Sequence, residues 1–255
     1  MQRYFTKRSD WEEKHVSITG DDAHHIVRVM RFKLGDEIIC NHPDGKAAIC
    51  KIVDLSKDSV KGEIIEWLQN NAELPVYVTI AQALPKGNKL DFIIQKSTEL
   101  GVNQLLLYEG DRSIAKWDEK KSKQKLNRYR KVMKEASEQC HRNIIPEIEV
   151  TSIDSILEQQ SEYDIMMYAY ENEAKKESFS SLGKALLHCK RDDKILVFIG
   201  PEGGFSEREI ELFKKNNCQS VRLGARILRT ETAAMYVLAS VSYHFEELRC
   251  HECPQ

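Results

Sequence analysis

The sequence predicts an α/β protein with a mainly parallel sheet, preceded by a smaller β-rich domain. Three observations predict it. After residue 75, apolar stretches of strand length alternate with stretches of helical periodicity, the pattern of a sheet covered on both faces. Before residue 70, short apolar runs are instead separated by turn residues, as in a small barrel-like or α+β domain. Between them lies the polar run 69–74, closed by Pro75, where the boundary falls. The 255 residues, 41% of them hydrophobic, suit one large or two moderate domains. We therefore expect domains at 1–72 and 73–255.

In chain order, a helix comes first. Asp21 or Asp22 can cap it, Ile26, Val29 and Met30 recur at helical spacing, and Gly35 ends the segment. Residues 37–40 and 47–53 read as a hairpin around the turn His42, Pro43, Asp44, Gly45, and 60–65 as another strand. In the second domain the strands are 76–83, 104–108, 164–170, 195–199 and 220–223. The helices are 90–100, 118–140, 179–189 and 206–216. Gly101 stands where a helix end favours a left-handed residue. Ser206 and Glu209 form a capping box. The last helix carries the stripe Ala234, Leu238, Val241, Phe245, Leu248, an apolar face for a core or a partner.

Bulk composition excludes several classes. The 31% charged residues are mixed in sign, with a net charge of −2, so any nucleic-acid footprint is local. One local patch exists: residues 116–134 hold nine Lys or Arg and two acids. The apolar stripe Leu126, Tyr129, Met133, Ala136, Cys140 turns them outward, as a phosphate-binding or simply a solvated face. No apolar run approaches the ~18 residues of a membrane span, and the N-terminal residues lack a signal-peptide core. The seven scattered cysteines read as reduced thiols in a cytoplasmic protein. Cys250 and Cys253 form a lone C-x-x-C, read as a tail; no metal site is expected.

Two loops carry the strongest signal for a ligand. Ile199, Gly200, Pro201, Glu202, Gly203, Gly204 and Phe205 follow an apolar strand and precede the capped helix. Such loops at the carboxyl ends of parallel strands bind ligands, and glycines let them approach the main chain. A tight turn with no ligand is the other reading. The loop is neither a G-x-G-x-x-G fingerprint nor a Walker A, so it does not indicate a pyrophosphate. Leu223, Gly224, Ala225, Arg226, Ile227, Leu228, Arg229, Thr230, Glu231, Thr232 and Ala233 again join a strand to a helix. Thr230 can cap that helix and Glu231 suits its positive end. Capping requires neither Arg226 nor Arg229, and both suit an anion or oxyanion. Glu135, Glu138 and Arg142 share a helix face, as a solvent-facing ion pair or a site. His24, His25, Arg28 and Arg31, with Arg3, Lys7 and Arg8, read as phosphate contacts.

Taken together, these segments resemble the RsmE-type 16S rRNA uridine-N3 methyltransferases of the SPOUT superfamily. The matching stretches are 3–5, 24–36, 84–87, 95–102, Arg112 with Ser113, 135–142 with Pro146, 199–206 and 223–233. They run in order over nearly the whole chain, and the last two are the most diagnostic. The resemblance implies a PUA-like N-terminal β-barrel that binds RNA and a C-terminal domain with a deep trefoil knot. It implies S-adenosylmethionine held by 199–204 and 223–229, with Thr232 and Ala233 beyond and Tyr170 and Glu171 on a neighbouring loop. It implies RNA contacts from Arg3, His25, Arg28, Arg31, Lys86, Arg112 and Arg142, on 16S rRNA of the small subunit. The family is dimeric, so the 234–248 stripe is expected to be part core, part interface.

The implied chemistry moves a methyl group from a sulfonium to uracil N3. That atom lies on the pairing edge, so the base must be unpaired or flipped. N3 must lose its proton, and the charge spreads onto the carbonyl oxygens, where an arginine stabilises it. Arg229 is the candidate, with Glu231 or Glu138 as proton acceptor or orienting group. A non-catalytic RNA-binding assembly factor with the same fold is the alternative. A nucleotide-dependent enzyme would need the phosphate motifs that the sequence lacks.

Overall fold

The computed structural model describes residues 1–69, 71–170 and 180–248. Contacts divide it into two units: unit 1 is Met1–Glu73 with Lys134–Ile145, and unit 2 is Leu74–Met133 with Pro146–Gln255. A single cut at 72/73 therefore does not separate them, because the 134–145 segment packs with the N-terminal unit.

Unit 1 is a five-stranded mixed sheet in the order β1-β3-β4-β5-β2. Its strands are β1 (Arg3–Phe5), β2 (His15–Thr19), β3 (Glu37–Asn41), β4 (Ala47–Leu55) and β5 (Ser59–Leu68). β1 runs parallel to β3, and the other pairs are antiparallel. The edges β1 and β2 do not pair, so the sheet is an open, curled half-barrel rather than a closed barrel. Register shifts at Ile49/Cys50 and Ile52/Asp54 bend β4. Alternation puts Ile38, Cys40, Ala48, Cys50 and Ile52 on the core side, with Tyr4, Val16, Ile18 and Val60. The first helix, α1 (Gly20–His24), continues as a π-type turn, His25–Val29. Its N-cap is Thr19, which makes no side-chain cap bond. Asp21 and Asp22 are already inside the first turn, where their charge still suits the helix dipole.

Unit 2 is a six-stranded, all-parallel sheet in the order β11-β9-β10-β6-β7-β8. The strands are β6 (Tyr77–Ala83), β7 (Gln104–Tyr108), β8 (Glu147–Thr151), β9 (Ile165–Ala169), β10 (Lys194–Ile199) and β11 (Gln219–Val221). The helices are α2 (Lys89–Glu99), α3 (Glu119–Gln139), α4 (Ile153–Glu158), α5 (Leu182–Leu186), α6 (Glu207–Lys215) and α7 (Thr230–Ser242). A π-type turn, Tyr243–Leu248, prolongs α7. From Lys134 onward, α3 belongs to unit 1. Gly101 takes φ +89° just past α2, as its position after the helix predicts. Between the sheet and α6, Phe213 lies 4.5 Å from Phe198, 5.0 Å from Tyr168 and 5.1 Å from Phe205, centroid to centroid. Phe213 is fully buried, a burial contributing about 1.5–3 kcal/mol. Of the apolar stripe on the last helix, Ala234, Leu238, Val241 and Phe245 are core, while Leu248 is exposed. Among the described residues no helix is long and apolar enough to cross a membrane.

Candidate functional site

Three neighbouring strands, β11, β9 and β10, send their carboxyl ends into one cavity of about 470 Å³ in unit 2. β9 contributes Ala169 and Tyr170. β10 is followed by Ile199, Gly200, Pro201, Glu202, Gly204 and Phe205. β11 is followed by Arg222, Leu223, Gly224, Arg226, Ile227, Leu228, Arg229 and Thr230, with Ala233 one turn on. Parallel strands place their loops on the same edge of the sheet, which explains the convergence.

The first loop is shaped by its glycines. The Gly204 N–H donates to the Pro201 carbonyl at 2.9 Å, with Gly204 at φ +67°. A Cβ on Gly203 would stand 3.2 Å from Arg112 Cβ, and Arg112 Nη1 donates to the Gly203 carbonyl at 3.0 Å. The capping box then fixes the start of α6: the Glu209 N–H donates to Ser206 Oγ at 3.1 Å, and the Ser206 N–H to Glu209 Oε2 at 2.7 Å. Glu209 is fully buried, and its other oxygen accepts the Asp111 N–H at 3.0 Å. Asp111 in turn accepts from Arg208 at 2.9 and 2.6 Å and from the Ser206 hydroxyl at 2.5 Å. Those bonds, Arg208 foremost, hold the Asp111 carboxyl below its ordinary range.

The second loop turns at Gly224, φ +76°, whose carbonyl accepts from Arg222 Nε at 2.7 Å. Thr230 joins the two loops: its hydroxyl donates to the Gly200 carbonyl and accepts from Gln82 Nε2, each at 2.8 Å. Thr230 is thus not the cap of α7; Arg229 takes that place, without a side-chain cap bond. The Thr230 hydroxyl is buried and already committed to both partners. Lys89, at the start of α2, stands 2.7 Å from Glu202 and 3.3 Å from Glu231. Those carboxylates, Glu202 above all, raise its ammonium, and Lys89 holds the Glu202 carboxyl low against the opposing effect of burial.

Most residues expected at the cofactor therefore meet in one cavity. Gly203 and Thr232 are exposed and do not line it, and Glu171 lies outside the described residues. Lys86 is exposed, with its N–H 3.2 Å from Glu202 Oε1. Arg226 and Arg229 line the cavity, are exposed, and make no ion pair among the described residues. Lys89, Gln82 and Arg222 were missed, because nothing local marks a lysine, a strand glutamine or an arginine as part of a site; only the fold brings them there.

Unit 1 gathers the remaining candidates. Arg28 and Arg31 are exposed, and His25 Nδ1 lies 3.1 Å from the Tyr4 hydroxyl. Arg3 and Arg142, expected at phosphates, turn inward. Arg3 is 6% exposed, with Nη1 donating to the Arg142 carbonyl and Asn143 Oδ1 at 3.2 Å. Arg142 is 2% exposed and paired with Glu73, its Nε 3.1 Å from Oε2. A buried guanidinium needs internal acceptors: Arg142 has a carboxylate, and Arg3 has neutral oxygens. Glu138 pairs with Lys134 at 3.2 Å, and burial pushes its carboxyl up.

The cavity combines aliphatic walls with main-chain polar groups and uncommitted arginines. The walls and main-chain groups suit a nucleoside, the arginines suit an anionic group on the ligand or its reaction partner, and nothing in the cavity resembles a pyrophosphate cradle. Comparison with known proteins agrees. Residues 72–242 match the model of an RNA methyltransferase domain, and 18–65 that of an RNA methyltransferase PUA domain. The chain is 43% identical to ribosomal RNA small subunit methyltransferase E of Bacillus subtilis, over 98% of this chain and 99% of that one. Its structure is similar to that of a ribosomal RNA small subunit methyltransferase E from Neisseria gonorrhoeae bound to S-adenosyl methionine. That similarity has a TM-score of 0.81 at 26% identity, over 96% and 98% of the two chains. A Legionella pneumophila structure in complex with the bound cofactor SAM gives a TM-score of 0.80 at 27% identity, over 95% and 97%. The chain belongs to the ribosomal RNA small subunit methyltransferase E family, with a PUA domain followed by a SPOUT methyltransferase domain.

Proposed function

We propose that this chain transfers the methyl group of S-adenosylmethionine to N3 of a uridine in 16S rRNA of the small ribosomal subunit, as a cytoplasmic homodimer. The observation that carries this reading is the single cavity formed by the loops after β9, β10 and β11, with Thr230 tying the last two together. In the proposal the chain is knotted there.

S-adenosylmethionine, when bound, supplies an electrophilic methyl on a sulfonium. Ile199, Pro201, Leu223, Ile227 and Leu228, with the loop main chain, would hold its nucleoside. The flipped uracil enters beside Arg229, whose guanidinium stabilises charge developing on the carbonyl oxygens. The N3 proton passes to a carboxylate. Glu231, two residues beyond Arg229 and beside Lys89, is the candidate in unit 2. Glu138 of unit 1 is the other, its raised carboxyl suited to accept a proton. His25, Arg28, Arg31, Lys86 and Arg112 are the proposed RNA contacts. In the proposed dimer a partner subunit covers the exposed Tyr243 and Leu248 at the end of the last helix.

Calorimetry with S-adenosylmethionine is the first test, and heat of binding is expected. Small subunits from a strain lacking the activity should then gain N3-methyluridine, read by mass spectrometry. Absence of binding heat overturns the reading. Methylation of another atom or base overturns the assignment to uridine N3.

A further inference from the structure

We propose that the outward basic face of α3, from Lys120 to Lys131 with Lys116 just before it, holds the phosphate backbone of the RNA substrate. This rests on the rRNA reading above and adds to it the surface that grips the polyanion.

The face is built against its own electrostatics. Lys120 and Lys123 are three apart, Lys121 and Lys125 four apart, Lys125 and Arg128 three apart. Like charges at these spacings face each other and destabilise a helix. Few acids relieve them. Asp118 is used at the helix start, accepting the Lys121 N–H at 2.7 Å. Glu119 pairs with Lys123 at 2.6 Å, both largely in water, where such a pair is weak. Asp91 pairs with Arg128 at 2.5 Å. Lys116, Lys120, Lys121, Lys125 and Arg130 form no ion pair among the described residues, although the whole chain carries a net charge of −2. Positive charge is therefore concentrated here, with these five cations outside any ion pair among the described residues.

The helix is also braced for this display. Tyr129 and Met133 are buried, and Arg128 lies over the Tyr129 ring, 4.7 Å from its centre. Trp117 stacks on Tyr129 with 6.2 Å between centroids, and the Lys125 ammonium sits 4.7 Å from the Trp117 ring centre. Lys125 is the half-buried member of the row, its ammonium pushed down by burial, then by Arg128 and Lys121. An anion placed against this row offsets the repulsion that adds to burial in lowering it. From Lys120 to Lys131 the face spans roughly 16 Å at about 1.5 Å per residue, long enough to meet several backbone phosphates. Positive charge without base-reading geometry fits phosphate contact, which positions RNA rather than reading its sequence.

The test compares the wild-type chain with K120Q/K121Q/R130Q, and with K214Q/K215Q as a control of equal kind elsewhere on the surface. Against small subunits, the triple variant should raise KM about ten-fold or more at moderate salt. It should flatten the dependence of log affinity on log salt by about one per cation removed. Both kcat at saturating substrate and S-adenosylmethionine affinity should stay unchanged, and the control should shift neither. In NMR of lysine-labelled protein, RNA should raise the Lys125 titration. If the wild type binds RNA and the triple variant keeps the same salt slope, the inference is overturned while the functional reading stands. If the wild type binds no RNA but binds anionic lipid vesicles through these lysines, the inference is overturned in favour of a membrane surface. If it binds neither S-adenosylmethionine nor RNA, the functional reading has failed first.

Discussion

The hydroxyl of Thr230 donates to the Gly200 carbonyl and accepts from Gln82, both at 2.8 Å, in a buried position. Thr230→Val keeps the shape and leaves both partners without it, at about 1–3 kcal/mol for an unsatisfied buried group. Urea unfolding should register that loss, and calorimetry should show weaker S-adenosylmethionine binding because the two loops lose their tie. Arg229 is exposed and forms no ion pair among the described residues, so Arg229→Ala should leave stability and cofactor affinity unchanged while kcat falls about 10²–10³-fold. Wild-type turnover in that variant removes Arg229 from the mechanism. Asp111 gives a pH test. Arg208 and Ser206 depress its carboxyl in the folded state, so its stabilisation is present above the unfolded aspartate value of about 3.9. It is lost as pH falls through the lower folded value. The stability gap between wild type and Asp111→Asn should therefore close on acidification, as chemical denaturation between pH 6 and pH 2 would show. Arg226 and Arg229 were legible in the sequence as cations that capping does not need. Arg3 and Arg142 misled, because an arginine in a basic stretch looks alike whether it faces water or a buried glutamate.

At the scale of elements, the two glycines with left-handed backbone shape the cavity. Gly204→Ala and Gly224→Ala force a side chain into φ +67° and +76°, costing about 1–2 kcal/mol each. Cofactor affinity should fall in both, with the rest of the fold intact by circular dichroism. The buried strands β6, β7 and β10 were legible because continuous apolar runs have few other uses. β1, with three residues, was too short for a period to show. β8 was missed because an edge strand, with exposed Glu147 and Glu149 alternating with Ile148 and Val150, looks like a polar loop. The capping box before α6 read correctly because its partners lie within one turn. The cap of α7 did not, since Thr230's partners are far away in sequence, at Gln82 and Gly200.

At the scale of the whole molecule, residues 134–145 are bound into unit 1 by Arg3, Asn41 and, most of all, the Glu73 carboxylate. Glu73 accepts from the Arg142 guanidinium and from the N–H groups of Asn143 and Ile144, at 2.9 and 3.1 Å. Arg142→Leu strands that carboxylate, and about 3–5 kcal/mol should be lost in equilibrium unfolding. No linear reading shows this arrangement, because composition marks a boundary near Pro75 but says nothing about a later segment that returns.

That returning segment sets a timetable for synthesis. A ribosome making this chain finishes Glu73 long before Arg142 and Asn143 emerge to complete their hydrogen bonds with Arg3, Asn41 and Glu73. At about 5–20 residues per second, the nascent N-terminal sheet waits roughly 4–14 s for its last piece. A fragment released at residue 72 never receives it.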